Sequence, residues 1–404
     1  MYSFKTLDDI DVSGKRVLVR VDINSPLDKK TMTVNDRSKI ASAVPTLKEL
    51  SAKGAKVTVL AHQGRKNHWD YTDLHQHAEI LSELLGKKVR YIDDLMGDLA
   101  KEAIKSLKGG EIILLKNVRC FDSETVKLSV QHHSQGALVS SLAPLFDIFI
   151  NDAFASSHRS QASIVGFTVV LPSVAGRLMQ KEISILLKFI ESPSRPVVFV
   201  FGGTKFIDSI PIIRHLLDTG IADKVIVGGL VGMAYASIAG NDIGEENRKT
   251  LANEMSHEHI SDAKQILEKH ASKIIIPVDM ATDKDGKRVE CKIGKEVPAL
   301  PCYDIGSKSM KKFGDVLSSA KTIFISGPVG MFEKEEFSLG TRAVFEKSTS
   351  SGAFCITGGG HTTAAANQMS FSKKITYMST GGGALEHFLL GKPLPALEAL
   401  KNSI

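Results

Sequence analysis

The sequence predicts an α/β protein of two doubly wound, parallel-sheet (Rossmann-like) domains joined by a hinge helix. Three observations carry that prediction. At 404 residues the chain is long for a single hydrophobic core. Short β-branched or apolar runs alternate with turns and longer amphipathic stretches, the pattern of parallel strands linked by crossover helices. The strand ends also change character halfway along, from arginine-bearing to glycine-bearing. The expected boundaries are 1–172 for the first domain, 173–192 for the linking helix and 193–390 for the second domain, leaving 391–404 as a terminal segment.

Composition narrows the function classes. Apolar residues make up 43% and charged residues 24%, ordinary for a globular protein. No apolar run approaches the ~20 residues that cross a bilayer. The start, Met1-Tyr2-Ser3-Phe4-Lys5, reaches acidic residues at once and has no signal-peptide core, so a cytoplasmic location is expected. The four cysteines, Cys120, Cys291, Cys302 and Cys355, form no CxxC pair and imply neither a disulfide framework nor a zinc site. A net charge of +6 is spread along the chain, and aromatic content is only 6%, without the interleaved basic and aromatic run that stacks bases. A site for a small polyanion accounts for the charge as well, and so does no site at all; the expected partners are small-molecule substrates, with no nucleic acid and no membrane, in a monomer or homodimer.

In parallel sheets, ligands bind beyond the carboxyl ends of the strands. The first-half strands are read in order. Arg16 to Asn24 alternates strictly, placing Val17, Val19, Val21 and Ile23 on one face and Leu18, Arg20, Asp22 and Asn24 on the other. Val57 to Leu60 runs into Ala61-His62-Gln63-Gly64-Arg65. Ile112 to Leu115 runs into Lys116-Asn117-Val118-Arg119, and Phe146 to Ile150 into Asn151-Asp152 and on to His158-Arg159. One arginine at a strand end is an ordinary surface residue. Four such ends in succession, two with histidine, point to a small, multiply anionic ligand, because the guanidinium fork matches phosphate and carboxylate oxygens.

After Leu171-Pro172-Ser173, apolar positions from Leu178 to Ile190 recur at helical spacing, and Pro193-Ser194-Arg195-Pro196 ends the stretch. Five later strands end in glycines: Val197 to Phe201 in Gly202-Gly203-Thr204-Lys205, Val225 to Val227 in Gly228-Gly229, Ile323 to Ile325 in Ser326-Gly327, Phe354 to Thr357 in Gly358-Gly359-Gly360-His361, and Ile375 to Ser379 in Thr380-Gly381-Gly382-Gly383. Glycines at so many strand ends imply close approach of a nucleotide-sized ligand, with main-chain N–H groups or helix N-termini available to phosphates. No GxxxxGK[ST], strand-linked GxGxxG, HRD, DFG or HExxH occurs, so any nucleotide is held by another glycine scheme. Asp283-Lys284-Asp285-Gly286 reads as a hairpin turn.

These segments, in this order and spacing, resemble the phosphoglycerate kinase family over almost the whole chain. The resemblance rests on Arg16 through Asn24, His62 to Arg65, Asn117-Val118-Arg119, Asn151 to Phe154 with His158-Arg159, Gly202 to Lys205, Pro277-Val278-Asp279, Gly327 to Glu333, Gly358 to Gly360 and Ser379 to Gly383. The GGGH at Gly358 to His361 and the single lysine near Lys205 are similar to the archaeal branch. What the resemblance implies is reversible transfer, 1,3-bisphosphoglycerate + MgADP to 3-phosphoglycerate + MgATP, with Mg2+ accompanying ATP or ADP. It implies that Arg20, Asp22, Ile23, Asn24, His62, Gln63, Gly64, Arg65, Arg119 and Arg159 form the phosphoglycerate site. Gly202, Gly203, Lys205, Gly327, Glu333, Gly358, Gly359, Gly360 and His361 would hold the nucleotide, and Lys205, Gly381 and Gly382 would act on the transferring group. It also implies domain closure about the linking helix, and a 391–404 segment packed on the first domain.

The match has departures. The family carries a transfer-stabilising arginine six residues before a proline; here that place before Pro45 holds Lys39, with Arg37 two residues earlier, and both enter the candidate catalytic set. His361 replaces an aspartate near the metal, which leaves the magnesium ligand unknown. Ser209 replaces a lysine, Ser326 an asparagine, and Lys116 a glutamate. A phosphotransferase for another acyl phosphate, or a binding protein without turnover, are the alternatives.

Overall fold

The computed structural model describes residues 4–294 and 297–403. The chain divides into two compact units, Met1–Leu187 together with Lys392–Ile404, and Lys188–Gly391.

The first unit is built on six parallel strands: β1 (Arg16–Val21), β2 (Lys56–Leu60), β3 (Val89–Ile92), β4 (Ile112–Leu115), β5 (Ile148–Asp152) and β6 (Ser173–Ala175), in the order β3-β4-β2-β1-β5-β6. The alternation read in β1 sorts its side chains onto two cores. Val17, Val19, Val21 and Ile23 pack with Val57 and Val59 on one face, while Leu18 packs with Leu60, Ile113, Leu115 and Phe149 on the other. Each such buried aliphatic side chain contributes about 1.5–3 kcal/mol of transfer free energy. The order reverses between β1 and β5, so a crevice is expected beyond their carboxyl ends.

The second unit repeats the plan with β7 (Val197–Phe201), β8 (Lys224–Val227) and β9 (Ile274–Ile275). A small antiparallel sheet follows, β10 (Asp279–Lys284), β11 (Lys287–Lys292) and β12 (Cys302–Ile305), before the main sheet resumes with β13 (Thr322–Ser326), β14 (Phe354–Gly358) and β15 (Tyr377–Met378). The main sheet runs β15-β14-β13-β7-β8-β9, all parallel, and reverses between β7 and β13. Asp285 and Gly286, both at positive φ, make the hairpin turn between β10 and β11. Its pairing with β12 was not legible, because β12 is four residues with one polar position in an otherwise unremarkable stretch.

The expected linking helix over 173–192 is helical only over Arg177–Glu191. Residues 173–175 are instead the edge strand β6, since Ser173, Val174 and Ala175 pair with Phe149, Ile150 and Asn151. The helix begins in the first unit, where the Arg177 guanidinium meets Glu49 and Asp8 at 2.7 Å. It ends in the second, where the Phe189 ring lies edge-on to Phe199. The terminal helix Pro395–Lys401 packs within the first unit, where Ala396 N–H donates to the Ser157 carbonyl at 3.0 Å.

Asp152, at the end of β5, is fully buried and its Oδ1 accepts the Met179 N–H at 3.0 Å, capping the Arg177–Glu191 helix. Burial pushes its pKa up from 3.8 to about 7, against the hydrogen bonds from Thr46 and the helix N–H groups. A carboxyl whose folded pKa is raised favours folding when protonated, so its contribution is lost as pH rises from about 4 to about 7, at about 1.4 kcal/mol per unit. Asp152→Asn is therefore expected to gain on the wild type as pH increases over that window. Urea titrations of both proteins at pH 5 and pH 8 check this; a constant difference would refute it.

Candidate active site

The four arginine-bearing strand ends belong to β1, β2, β4 and β5, which are neighbours in the first sheet. Arg20 and Asp22 leave β1 fully or almost fully buried. Arg20 donates from Nε to Ser163 Oγ at 2.8 Å and from its terminal nitrogens to the Val21 carbonyl and to His62 Nδ1, the last at 3.1 Å. Asp22 accepts from the Ser156 hydroxyl at 2.6 Å and lies 3.8 Å from Lys39 Nζ. Asn117 opens a 3-10 turn by accepting the Arg119 N–H, and Arg119 donates to the Gly64 carbonyl.

The electrostatics are those of several cations crowded at buried strand ends. Burial, then the charges of Arg159 and Arg20, push Arg119 down to about 10. Burial likewise lowers Arg20, and it lowers His62 well below its ordinary value; Asp22 opposes that shift, and Arg20, Arg119 and Arg159 add to it. Burial works against the Asp22 carboxylate, yet Lys39, His62, Ser156 and Arg20 hold its pKa well below the usual range. Cations that depress one another are stabilised by any multiply charged anion entering among them.

Several predicted residues sit differently from expectation. Ile23 is wholly buried in the apolar core, so its side chain is no part of the site. Gln63 is consumed by structure: its amide bridges Ser25 N–H and carbonyl, His77 and the Asp70 carbonyl. Gly64 packs where a Cβ would lie 2.2 Å from the Asp70 carbonyl oxygen, and its N–H donates to Asn24. Arg65 is exposed and Arg159 half-buried. Arg37 is on the surface in an ion pair with Glu83 at 2.7 Å, its side chain 55% exposed; of the pair Arg37 and Lys39, only Lys39 reaches the cluster.

In the second unit the switch point between β7 and β13 carries a cavity of about 270 Å³. It is lined by Gly202, Gly203, Lys205, Gly327, Gly358, Gly359, Gly360 and His361, as the glycine pattern predicted, and also by Asp208, Thr362 and Glu386. Three of these glycines serve the loops themselves. The N–H groups of Gly202, Gly203 and Gly327 donate to Ser326, Pro328 and Thr362 Oγ1, so they are already spent within the protein. Their missing Cβ atoms let two loops touch: one on Gly202 would lie 2.3 Å from the Pro328 carbonyl oxygen, and one on Gly327 2.4 Å from that of Gly202. The Lys205 ammonium and the N-terminus of the helix Gly360–Gln368 also line the cavity, and a helix N-terminus carries N–H groups with no intrahelical acceptor.

Lys205 Nζ is 3.1 Å from Glu386 Oε1 and 3.8 Å from Asp208 Oδ2. Glu333 is exposed and outside the cavity lining; the buried Gly381 and the exposed Gly382, which precede the short helix Gly383–Leu389, lie outside it too. The Gly381 N–H donates to Ser379 Oγ at 3.1 Å. Glu386, Asp208, Ser156, Ser163 and Glu124 were not legible as site residues. Each lies on a helix or turn with no repeating pattern to single it out. Among the described residues no three His, Cys, Asp or Glu side chains gather as a metal site. Mg2+ is ordinarily held by one or two carboxylates plus substrate phosphates. Asp208 and Glu386 in the cavity fit that requirement.

The phosphoglycerate kinase family model matches residues 7–392. The chain belongs to the phosphoglycerate kinase family. It is 43% identical to the phosphoglycerate kinase of Methanothermus fervidus over 403 residues, covering 100% of this chain and 98% of that one. It is 44% identical to that of Methanobacterium bryantii, covering 98% and 97%. The crystal structure of phosphoglycerate kinase from Pyrococcus horikoshii OT3 superimposes with a TM-score of 0.91 at 36% identity, covering 98% of each chain. The archaeal flavour read in the GGGH segment accords with these relatives. Among the described residues no helix is long and apolar enough to cross a membrane, and all four cysteines are free thiols.

Proposed function

We propose that the two clusters hold the two substrates of one phosphoryl transfer. The cationic strand ends of the first unit take phosphoglycerate, and the glycine-lined cavity of the second takes the nucleotide. The reaction is that of the family, 1,3-bisphosphoglycerate + ADP to 3-phosphoglycerate + ATP and its reverse. The observation that carries the assignment is the gathering of Arg20, His62, Arg119 and Arg159 at four neighbouring strand ends, where burial first, and then the charge of Arg159, disfavours the charged forms of the other three.

The carboxylate of 3-phosphoglycerate is ionised at neutral pH, so no general base is needed. What the chain supplies is alignment and neutralisation of charge on the equatorial oxygens. In this reading Arg119, Arg159, Arg65 and neutral His62 bind the acid, Asn24 orients it, and Lys39 and Lys205 face the transferring group from the two sides. Asp208 and Glu386 would hold a Mg2+ carried by the nucleotide, which would supply charge neutralisation. The helix Arg177–Glu191 is the hinge for bringing the ligands together. A cytoplasmic protein acting on small molecules is the corresponding expectation.

Magnesium-dependent turnover of ATP and 3-phosphoglycerate, coupled to glyceraldehyde-3-phosphate dehydrogenase, tests the function. Binding of both ligands without turnover would overturn it. The same assay decides between the two basic residues near Pro45. Lys39→Ala is expected to lower kcat by about 100-fold, the low end of the scale for one donor lost from the transition state. Arg37→Ala is expected to stay within about twofold, since an exposed ion pair contributes about 0–1 kcal/mol. Equal losses would remove Lys39 from the role.

A further inference from the structure

Behind the proposed acid site lies a buried chain of hydrogen bonds that none of the substrate-site residues explains. Glu124, Ser163 and Arg20 are each 0% exposed, and His62 is 3% exposed. Glu124 accepts twice from Ser163, at Oε2 from the backbone N–H at 3.0 Å and at Oε1 from the hydroxyl at 2.6 Å. Ser163 Oγ accepts from Arg20 Nε, and another Arg20 nitrogen contacts His62 Nδ1.

Every role in this chain is forced. A guanidinium has donors and no acceptor. The serine hydroxyl therefore accepts from Arg20 and must place its own hydrogen elsewhere, and Glu124 Oε1 is where it goes. By the same rule His62 Nδ1 accepts, so in the neutral ring the proton resides on Nε2. Glu124 also balances the charge of Arg20 where no water can, since a buried cation without a counter-charge is strongly disfavoured.

We propose that Glu124 and Ser163 are positioning residues which, through Arg20, lock His62 as the Nε2–H tautomer and so present a fixed donor to the acid substrate. This rests on the reading of the first-unit cluster as the phosphoglycerate site. Neither residue touches the substrate; both act through the orientation of Arg20, as outer partners do for histidine ligands elsewhere.

The test uses the full-length protein with isotope-labelled histidine, the His62 signal being assigned by its loss in His62→Gln. The wild type is expected to show a single Nε2–H tautomer by nitrogen and Cδ2 chemical shifts. Ser163→Ala removes the acceptor for Arg20, and Glu124→Gln removes the counter-charge while keeping the shape. Each is expected to give a tautomer mixture at His62. Each should also raise KM for 3-phosphoglycerate by roughly 5- to 20-fold, with KM for ATP within about twofold, the scale of lost outer-partner hydrogen bonds. Resistance of the first unit to limited proteolysis, matched to the wild type, reports that the variant has folded, and Glu124→Gln carries the test if Ser163→Ala does not fold. An unchanged His62 spectrum in the folded variants, or equal rises in both KM values, overturns the relay. Arg159→Ala separates the two levels: if it raises KM for the acid while the relay variants are silent, only the relay fails. If Arg159→Ala is silent too, the site assignment fails and takes the relay with it.

Discussion

Lys205→Ala is expected to lower kcat by about 10²–10³-fold, the loss found when one preorganised charge is removed from a transition state. Lys205 lines the nucleotide cavity, with its ammonium between the carboxylates of Glu386 and Asp208. His361 is the other ionisable nitrogen lining that cavity, and it is no substitute for a permanently charged, flexible donor. KM for ATP should rise far less than kcat falls, because ground-state binding is shared with the rest of the cavity lining. Steady-state kinetics of the purified variant decide this. A rise in KM with kcat intact would make Lys205 a binding group only.

The second large effect concerns backbone packing. Gly202→Ala places a methyl 2.3 Å from the Pro328 carbonyl oxygen and 2.7 Å from that of Gly327, both main-chain atoms that cannot swing away. The two loops must separate, breaking the hydrogen bonds that Gly202 and Gly203 make across them. A loss of about 1–3 kcal/mol in stability is expected from overpacking, with nucleotide affinity reduced at least tenfold. Gly360→Ala is the informative contrast. Nothing lies within 4 Å of a Cβ there, so stability should hold while nucleotide affinity falls, if a phosphate does approach that helix terminus. Thermal unfolding and ATP titration of both variants separate loop packing from ligand approach; matching behaviour in the two would refute the distinction.

That contrast marks where sequence legibility stopped. The glycine runs announced close approach, but a missing Cβ is equally suited to a ligand or to another loop. Here Gly202 and Gly327 serve one another, whereas Gly360 faces open space. Strand β1 was fully legible because its alternation is strict and each side chain has one face available. Arg37 and Lys39 were not separable, since both precede or open the same helix. Two positions are roughly 200° around a helix, which sends Arg37 to Glu83 and Lys39 toward Asp22. Glu124 and Ser163 come from distant segments, 39 residues apart in the chain, and only the fold brings them behind Arg20.

The return of residues 392–403 to the first unit has a consequence for biosynthesis. Ala396 binds Ser157, and Ser403 Oγ donates to the Ser173 carbonyl, so the first unit is incomplete until the end of the described chain has been made. The second unit, by contrast, has all of its strands once β15 is translated, while the earlier-made unit still waits for its closing helix. Emergence from the ribosome thus runs opposite to completion: the unit begun first is finished last. Nascent chains halted before Pro395 should carry a protease-resistant second unit beside a first unit still open to cleavage.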